Sequence, residues 1–556
     1  MDKTWAVGLR CGVGERPRLL AARPLVGALA LPRRALTALS LAALLCIAGC
    51  TVGPDFHRPA PPATSSYGAQ PVTTTVAAAH SPAGDAQHFT RGGDIPGDWW
   101  TLFHSKALNA LIEQSLANNA DLKAAQAALL VAHETTLAQR GARYPSVTAG
   151  ISASRQQDPP GALAPVPSTN AFLYNLFTPQ VSVSYAPDLF GLNRRTLESA
   201  QAQEQAVRFQ TIATQVTLST NVVLAAVQQA SLRAQVDATE QLVGISAKML
   251  QVLHYQLAKG YVGRLDVAAQ ESQLAQVTAT LPPLRKQLAQ QQHLLDVLAG
   301  QLPSQSTPPA FTLSSLQLPQ DLPLSLPSVL VAQRPDVRQA QANLHAASAQ
   351  IGVAMANRLP NISLTVNAGS TALAIAQVFK AGTGFWSLGA DLAAPIFQGG
   401  ALRHQQRAAQ AAYVQAAAEY RGTVLSAFQN VADTLTALQQ DADGLRAAAT
   451  AADAARVTLD LSQRQLRDGY AGSLIVLSAQ QASLQTQLAL IQAQAERFSD
   501  TAALFQALGG GWWHRAELAQ RVDTQADAAA RANAPQPGAK ASGTAAVHSM
   551  RNNDEQ

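Results

Sequence analysis

The residues able to do chemistry in this 556-residue chain are few, and their spacing is wrong for catalysis. His133-Glu134 opens like the helix of a zinc protease, where a second histidine ligand follows four residues after the first, but here that position is Leu137. His133 therefore reads as an ordinary helix residue. Gly244-Ile245-Ser246-Ala247-Lys248 lacks the closing glycine of a nucleophile elbow and lies inside a helical pattern. Neither a phosphate-cradling Gly-x-x-x-x-Gly-Lys-Ser/Thr loop nor a Gly-x-Gly-x-x-Gly turn occurs, and the 11 histidines are scattered without ligand spacing. No catalytic, cofactor-binding or metal-ligating set is expected, which disfavours a periplasmic hydrolase.

One thiol stands apart. Arg33-Arg34 precedes an apolar stretch from Ala35 to Ile47, the basic and apolar regions of a secretory signal. The small-residue end, Ile47-Ala48-Gly49-Cys50, resembles a bacterial lipobox, which implies cleavage before Cys50 and diacylation of its thiol: a covalent lipid, not a cofactor. Cys11 and Cys46 lie in the leader, so Cys50 would be the single cysteine of the exported chain, with no disulfide partner. Two acyl chains hold a protein to a bilayer where one is marginal. Thr51 follows Cys50 where an aspartate could stand, and in lipoproteins that resemblance favours the outer membrane.

The formal charge of +5 belongs to the leader. Seven of the 40 basic and two of the 35 acidic residues lie in residues 1–49, which leaves 33 of each in the remainder. A persistent basic face is missing, and a nucleic-acid partner is not expected. After residue 50 no apolar run is long enough for a membrane helix.

An internal duplication orders the chain after residue 100. Asp121-Leu122-Lys123-Ala124-Ala125-Gln126-Ala127 returns as Asp336-Val337-Arg338-Gln339-Ala340-Gln341-Ala342, and Arg143-Tyr144-Pro145 returns as Arg358-Leu359-Pro360, both 215 residues on. Gln256-Leu257-Ala258-Lys259-Gly260-Tyr261 returns as Gln465-Leu466-Arg467-Asp468-Gly469-Tyr470, 209 residues on. Two such copies are too long for a solenoid unit and read as halves of one domain. Each half predicts helix, strand, strand, long helix, tight turn, helix. Period-two alternation marks Val147 to Ala153, Val181 to Tyr185, Ile362 to Ala368, and Phe385 or Trp386 onward to Leu392. That pattern fits a half-buried soluble sheet or membrane strands, and four strands cannot close a barrel alone.

From Leu192 to Lys259 no proline interrupts a helical period, giving a rod approaching 100 Å at about 1.5 Å per residue. Leu218, Val222, Ala225, Gln229, Leu232, Val236, Thr239, Val243, Ser246, Leu250, Leu253 and Leu257 keep a 4-3 spacing, and the second half repeats it from Ala427 to Leu466. A sustained seven-residue period means supercoiling against neighbours. The seam is diluted by small and polar residues, so a closed palisade of helices and an antiparallel bundle both remain open. Domain boundaries follow: signal peptide 1–49; an extended, lipidated linker 50–97, rich in Pro, Ala, Ser and Thr; first repeat 98–301; Pro/Leu-rich connector 302–328; second repeat 329–513; and a tail, 514–556, without apolar period and read as disordered.

Further motifs carry a family resemblance. Gly97-Asp98-Trp99-Trp100-Thr101-Leu102-Phe103, Asn119-Ala120-Asp121-Leu122, Arg334-Pro335-Asp336-Val337-Arg338, Pro395-Ile396-Phe397-Gln398-Gly399-Gly400 and Ala507-Leu508-Gly509-Gly510-Gly511-Trp512 resemble, in order, the TolC/OprM-type outer-membrane factors. With the lipobox, the resemblance points to the lipoprotein (NodT-like) branch serving resistance–nodulation–division efflux systems. It implies a mixed α/β membrane protein with four transmembrane strands per chain. Three chains would complete a 12-stranded β-barrel in outer-membrane lipid and a 12-helix periplasmic duct. The implied activity is passive, non-enzymatic conduction of drugs or other small toxic compounds, with a periplasmic adaptor and an inner-membrane pump as partners. Rival readings are the exit duct of a type I protein secretion system and a non-porous, lipid-anchored coiled-coil scaffold.

The resemblance also assigns roles to the turns. Gly260, Tyr261 and Gly263, with Gly469, Tyr470 and Gly472, would form the periplasmic tip that meets the adaptor. Relatives bring a leucine and an acid into the constriction there. The matching positions are Leu474 and Ser478, so the acid is missing, and Asp266 is the nearest carboxylate.

Overall fold

The computed structural model describes residues 51–515, apart from positions 65, 69–72, 80, 161–170 and 305–308. The leader, Cys50 and residues 516–556 lie outside the described residues, so the lipobox and most of the expected tail do too.

In chain order the elements are β1 (His88–Arg91), α1 (Lys106–Asn118), α2 (Ala120–Gly141), β2 (Ser146–Gln157), β3 (Leu173–Tyr185), α3 (Leu192–Ala258), α4 (Arg264–Leu298), β4 (Asp321–Leu324), α5 (Pro327–Gln333), α6 (Pro335–Ala356), β5 (Asn361–Ser370), β6 (Gly384–Ala393), α7 (Ala401–Arg467) and α8 (Ser473–Ala507), with short 3-10 turns between them. The duplication is visible in the lengths. α2 and α6 have 22 residues each, α3 and α7 have 67, and α4 and α8 have 35. At about 1.5 Å per residue the longest helices reach about 100 Å. The helical period runs through Pro282-Pro283 of α4, which leaves the carbonyls of Thr278 and Ala279 without their usual donors.

The seven-residue seam is real. Nine of its twelve positions in α3 are buried, from Leu218 to Leu253, and Ala427, Val431, Leu438, Leu445, Leu459 and Leu466 are buried in α7. The helices form an open row rather than a closed bundle. α2, α3, α6 and α7 lie side by side at one end, and α4, α3, α8 and α7 at the other. Among the described residues no extensive contact joins the outer members α2 and α7, so the row has two free flanks. Midway along the rods sits the main core, where Trp99 stacks on Phe505 at 5.1 Å and Phe103, Phe311, Phe498 and Leu295 are fully enclosed.

One segment departs from expectation, and the connector packs beside it. Residues 73–97, read from composition as part of an extended linker, instead dock on this core: Ala78, Phe89 and Ile95 are buried, and β1 pairs in parallel with β4. The connector 302–328 supplies β4 and buries Phe311, Leu313, Leu316 and Leu322 in the same place. Each strand is four residues long, and β4 contains Pro323, so neither shows a strand period.

Candidate functional site

The larger sheet has the order β2-β3-β5-β6, antiparallel throughout. Away from the strand ends its register sorts the side chains by polarity, whereas Leu176 and Phe385 fall on the polar face and Arg155 and Asn175 on the apolar one. Val147 faces Val183, which faces Val366, which faces Leu388; Ala149, Val181, Ala368 and Trp386 form the next row. Rows Ile362–Leu392, Tyr185–Leu364–Ala390, Ile151–Pro179 and Ala153–Phe177 complete an apolar face. The other face carries Ser146, Thr148, Ser152, Gln180, Ser182, Ser184, Ser363, Thr365, Asn367, Ser387 and Asp391. A soluble sheet would cover its apolar face with a second layer. Here Ile151, Trp386, Leu388 and Leu392 are 68–79% exposed, and among the described residues no helix packs across them. Six rows about 6.7 Å apart along strands tilted by about 40° span roughly 25 Å, the height of the apolar band of a membrane barrel. The edge strands β2 and β6 each have one pairing partner, so sheet and helix row both end at free flanks.

At the opposite end of the rods lie the hairpin tips. α3 and α7 end in the same motif: Tyr261 N donates to Gln256 O at 2.8 Å and Tyr470 N to Gln465 O at 2.8 Å. Gly260 and Gly469 stand between at φ +79° and +78°, a left-handed conformation that side chains with a Cβ resist. The next helices start at Gly263 and Gly472. Tyr261, Tyr470, Leu265 and Leu474 are 74–86% exposed, and Ser478, one turn after Leu474, is exposed on the same face.

Asp266 is not a free carboxylate. One oxygen accepts from Gly263 N at 3.1 Å, capping α4, and the other accepts from the Ser473 hydroxyl at the start of α8. These two hydrogen bonds, that from Ser473 first, hold its pKa below the usual carboxylate range. The tie between the hairpins is therefore complete at neutral pH and lost as pH falls through that lowered value. Asp266 thus caps a helix and bonds across the two hairpins. Replacing Asp266 by alanine should speed amide exchange at residues 264–267 and 473–476 by about fivefold, the worth of about 1 kcal/mol of hydrogen bonding. Unchanged exchange would refute the tie.

The mid-rod belt holds a polar cluster that motif searching missed. Arg497 of α8, fully buried, donates to Ala83 O at 2.8 Å, Gln87 Oε1 at 2.9 Å and Thr75 Oγ1 at 3.2 Å, and burial lowers its pKa. Gln87 in turn donates to Thr501 Oγ1 and Pro319 O, both at 3.0 Å. Nearby, Asp441 occupies the α7 seam position matched by Leu232 in α3, and that substitution was the available sequence signal. Half-burial, then Asp500 and Glu496 close by, push its pKa up to about 7, against the pull of Arg497. Because the folded-state value lies above the unfolded one, folding takes up a proton. Stability is then fullest below about pH 4 and falls as pH rises toward 7. Asp441→Asn should remove that slope and raise stability at pH 8 by about 1 kcal/mol, a figure discounted for the half-exposure of the carboxyl. Thermal melting at pH 5 and pH 8 checks it; an unaltered slope would count against the cluster.

A sheet apolar on one side and polar on the other, carried on rods about 100 Å long and open at both flanks, fits the class of outer-membrane proteins. The model of the outer membrane efflux protein family matches residues 111–301 and 326–510, and the chain belongs to that family. The chain is 30% identical to the probable efflux pump outer membrane protein TtgC of Pseudomonas putida over 87% of its own length and 96% of the relative's. It is 31% identical to the pyoverdine export outer membrane protein OpmQ of the same species, over 74% of this chain and 88% of that one. Among solved structures, the outer-membrane channel OprN superposes with a TM-score of 0.74 at 27% identity, covering 83% of this chain and all of that one.

Proposed function

We propose that the chain is the outer-membrane channel of a tripartite efflux pump, conducting small organic compounds passively from an adaptor and an inner-membrane pump to the exterior. The observation that carries this reading is the pair of unpaired edges, β2 and β6, on a sheet whose apolar face is bare. Lipid tolerates no open strand edge, and four strands are too few to close. Three copies joined edge to edge give twelve strands, and their helix rows join into a tube of twelve helical positions. The polar face then lines the bore. The exposed tip residues Tyr261, Gly263, Tyr470 and Gly472 are the surface offered to the adaptor, and Leu474 above Ser478 narrows the bore sterically, without charge. Cys50, diacylated, anchors each copy to the outer membrane.

Single-channel conductance of heat-modifiable oligomers from outer-membrane fractions tests the reading. Deletion of residues 146–186, which removes β2 and β3, is expected to abolish conductance; unchanged conductance would sink the barrel. Gene deletion with a panel of antibiotics, dyes and aromatic acids, alongside adaptor pull-down, identifies cargo and partner. Cys50→Ser is expected to lose acylation while keeping oligomers, and normal palmitate labelling of that variant would refute the anchor.

A further inference from the structure

The first residues after Cys50 are held by a groove that only one half of the molecule builds. Residues 51–58 run antiparallel along α6: Gly53 lies against Gly352, Phe56 stacks on His345 at 4.4 Å, and Arg58 Nε donates to Gln341 Oε1 at 3.1 Å. Eleven helix residues and five extended residues both cover about 16 Å, so contact is kept throughout. At its upper end Arg195, near the start of α3 and 4% exposed, grips the segment with its whole guanidinium. Nε donates to Val52 O at 3.2 Å, and Nη2 donates to Gly53 O at 3.3 Å and Asp55 Oδ1 at 2.8 Å. Nη1 bonds Glu198 at 2.7 Å, and Glu198 also meets His345 Nε2 at 2.9 Å, which aims both the guanidinium and the ring under Phe56.

Glycine makes the fit possible. A Cβ on Gly352 would stand 3.0 Å from Val52 O and 2.8 Å from Arg195 Cγ, and one on Gly53 would stand 2.5 Å from the Gly352 Cα. The internal duplicate acts as a control. The positions matching Gly352, His345, Arg195 and Glu198 in the other half are Leu137, Leu130, His404 and Arg407, and none of the groove's chemistry is present there. The fold alone therefore does not require the arginine or the glycine.

The groove sits at the rim of the apolar face. Thr51 touches Gly191, six residues after β3 ends, Val52 N donates to Phe190 O at 3.2 Å, and α6 ends five residues before β5 begins. One peptide unit, about 3.8 Å, separates Cys50 from Thr51. We propose that residues 51–58 are a strap and Arg195 its positioning residue, fixing the point where the acyl chains of Cys50 enter lipid beside the two lowest apolar rows, Ile362–Leu392 and Tyr185–Leu364–Ala390. This rests on the acylation of Cys50 proposed above.

The test uses the full chain in cells fed a photoreactive fatty acid. Variants Arg195→His and Gly352→Leu import the residues of the other half, which folds with them. Mass spectrometry first reads acylation of Cys50. Crosslinks from the acyl chain to residues 185–190 and 357–364 are expected in the unaltered protein. They should fall about tenfold in both variants, with oligomer yield retained and chymotryptic cutting after Phe56 about tenfold faster, the order expected for a lost charge-assisted bond. Asp55→Asn, which touches only an exposed carboxylate of the strap, should shift both readouts in the same direction by less. Unchanged crosslinking and cutting in acylated variants overturn the strap. An unacylated Cys50 in the unaltered protein overturns the anchor reading instead, and with it the lipid part of this proposal.

Discussion

Val366→Arg should eliminate heat-modifiable oligomers from outer-membrane fractions, whereas Thr365→Arg, one residue away, should leave most of them. Val366 stands between Val183 and Leu388 in the third of six apolar rows, close to the middle of the band. Arginine on a lipid-facing position near the bilayer midplane costs about 2–4 kcal/mol. Three copies in one barrel would multiply that to about 6–12 kcal/mol, comparable with the whole stability of a folded protein at about 5–15 kcal/mol. Thr365 lies on the polar face beside Gly389 and Ser184, where a guanidinium stays in water. Equal loss in the two variants would mean that the faces have been assigned the wrong way round, or that neither meets lipid.

Arg497→Met is expected to free residues 73–97 from the mid-rod core. The change keeps much of the side-chain volume and removes donors to three acceptors, all on the segment itself: Thr75 Oγ1, Ala83 O and Gln87 Oε1. Charge-assisted bonds are worth about 1.5–3 kcal/mol each, but relief of a buried charge offsets part of that, leaving a net loss of about 3 kcal/mol. Hydrogen exchange should rise about a hundredfold at residues 74–91 while residues 218–230 of α3 stay protected. Loss of Arg497 should also lift the Asp441 pKa further, because Arg497 is the charge that lowers it. Unchanged protection of residues 74–91 would mean that the apolar contacts of Phe89 and Ile95 suffice.

What could be read in the sequence was what repeats. The 3.6- and seven-residue periods placed the rods, and the offsets of 215 and 209 residues placed their copies. Alternation located four strands but said nothing of what covers them, since a soluble and a lipid-facing sheet share one period; only the register and the bare apolar rows separate them. Docking of residues 73–97 was hidden because its cause lies far along the chain: Gln87 and Arg497 are 410 residues apart, and a stretch of Pro, Ala and Thr looks the same free or docked. The cap formed by Asp266 was legible too. An acid three residues after Gly263, at a helix start, carries the spacing of a cap.

The matched arms, 67 with 67 and 35 with 35 residues, constrain how such a chain can change. An insertion in one arm alone would leave its hairpin protruding beyond its sister and would rotate every seam residue downstream by about 100° per added residue. Only increments near seven residues restore the facing pattern, and they must enter the descending and ascending arms of both halves together. Lengthening or shortening the rods with the seam intact therefore requires coordinated changes in all four arms, a barrier that a single insertion or deletion does not cross.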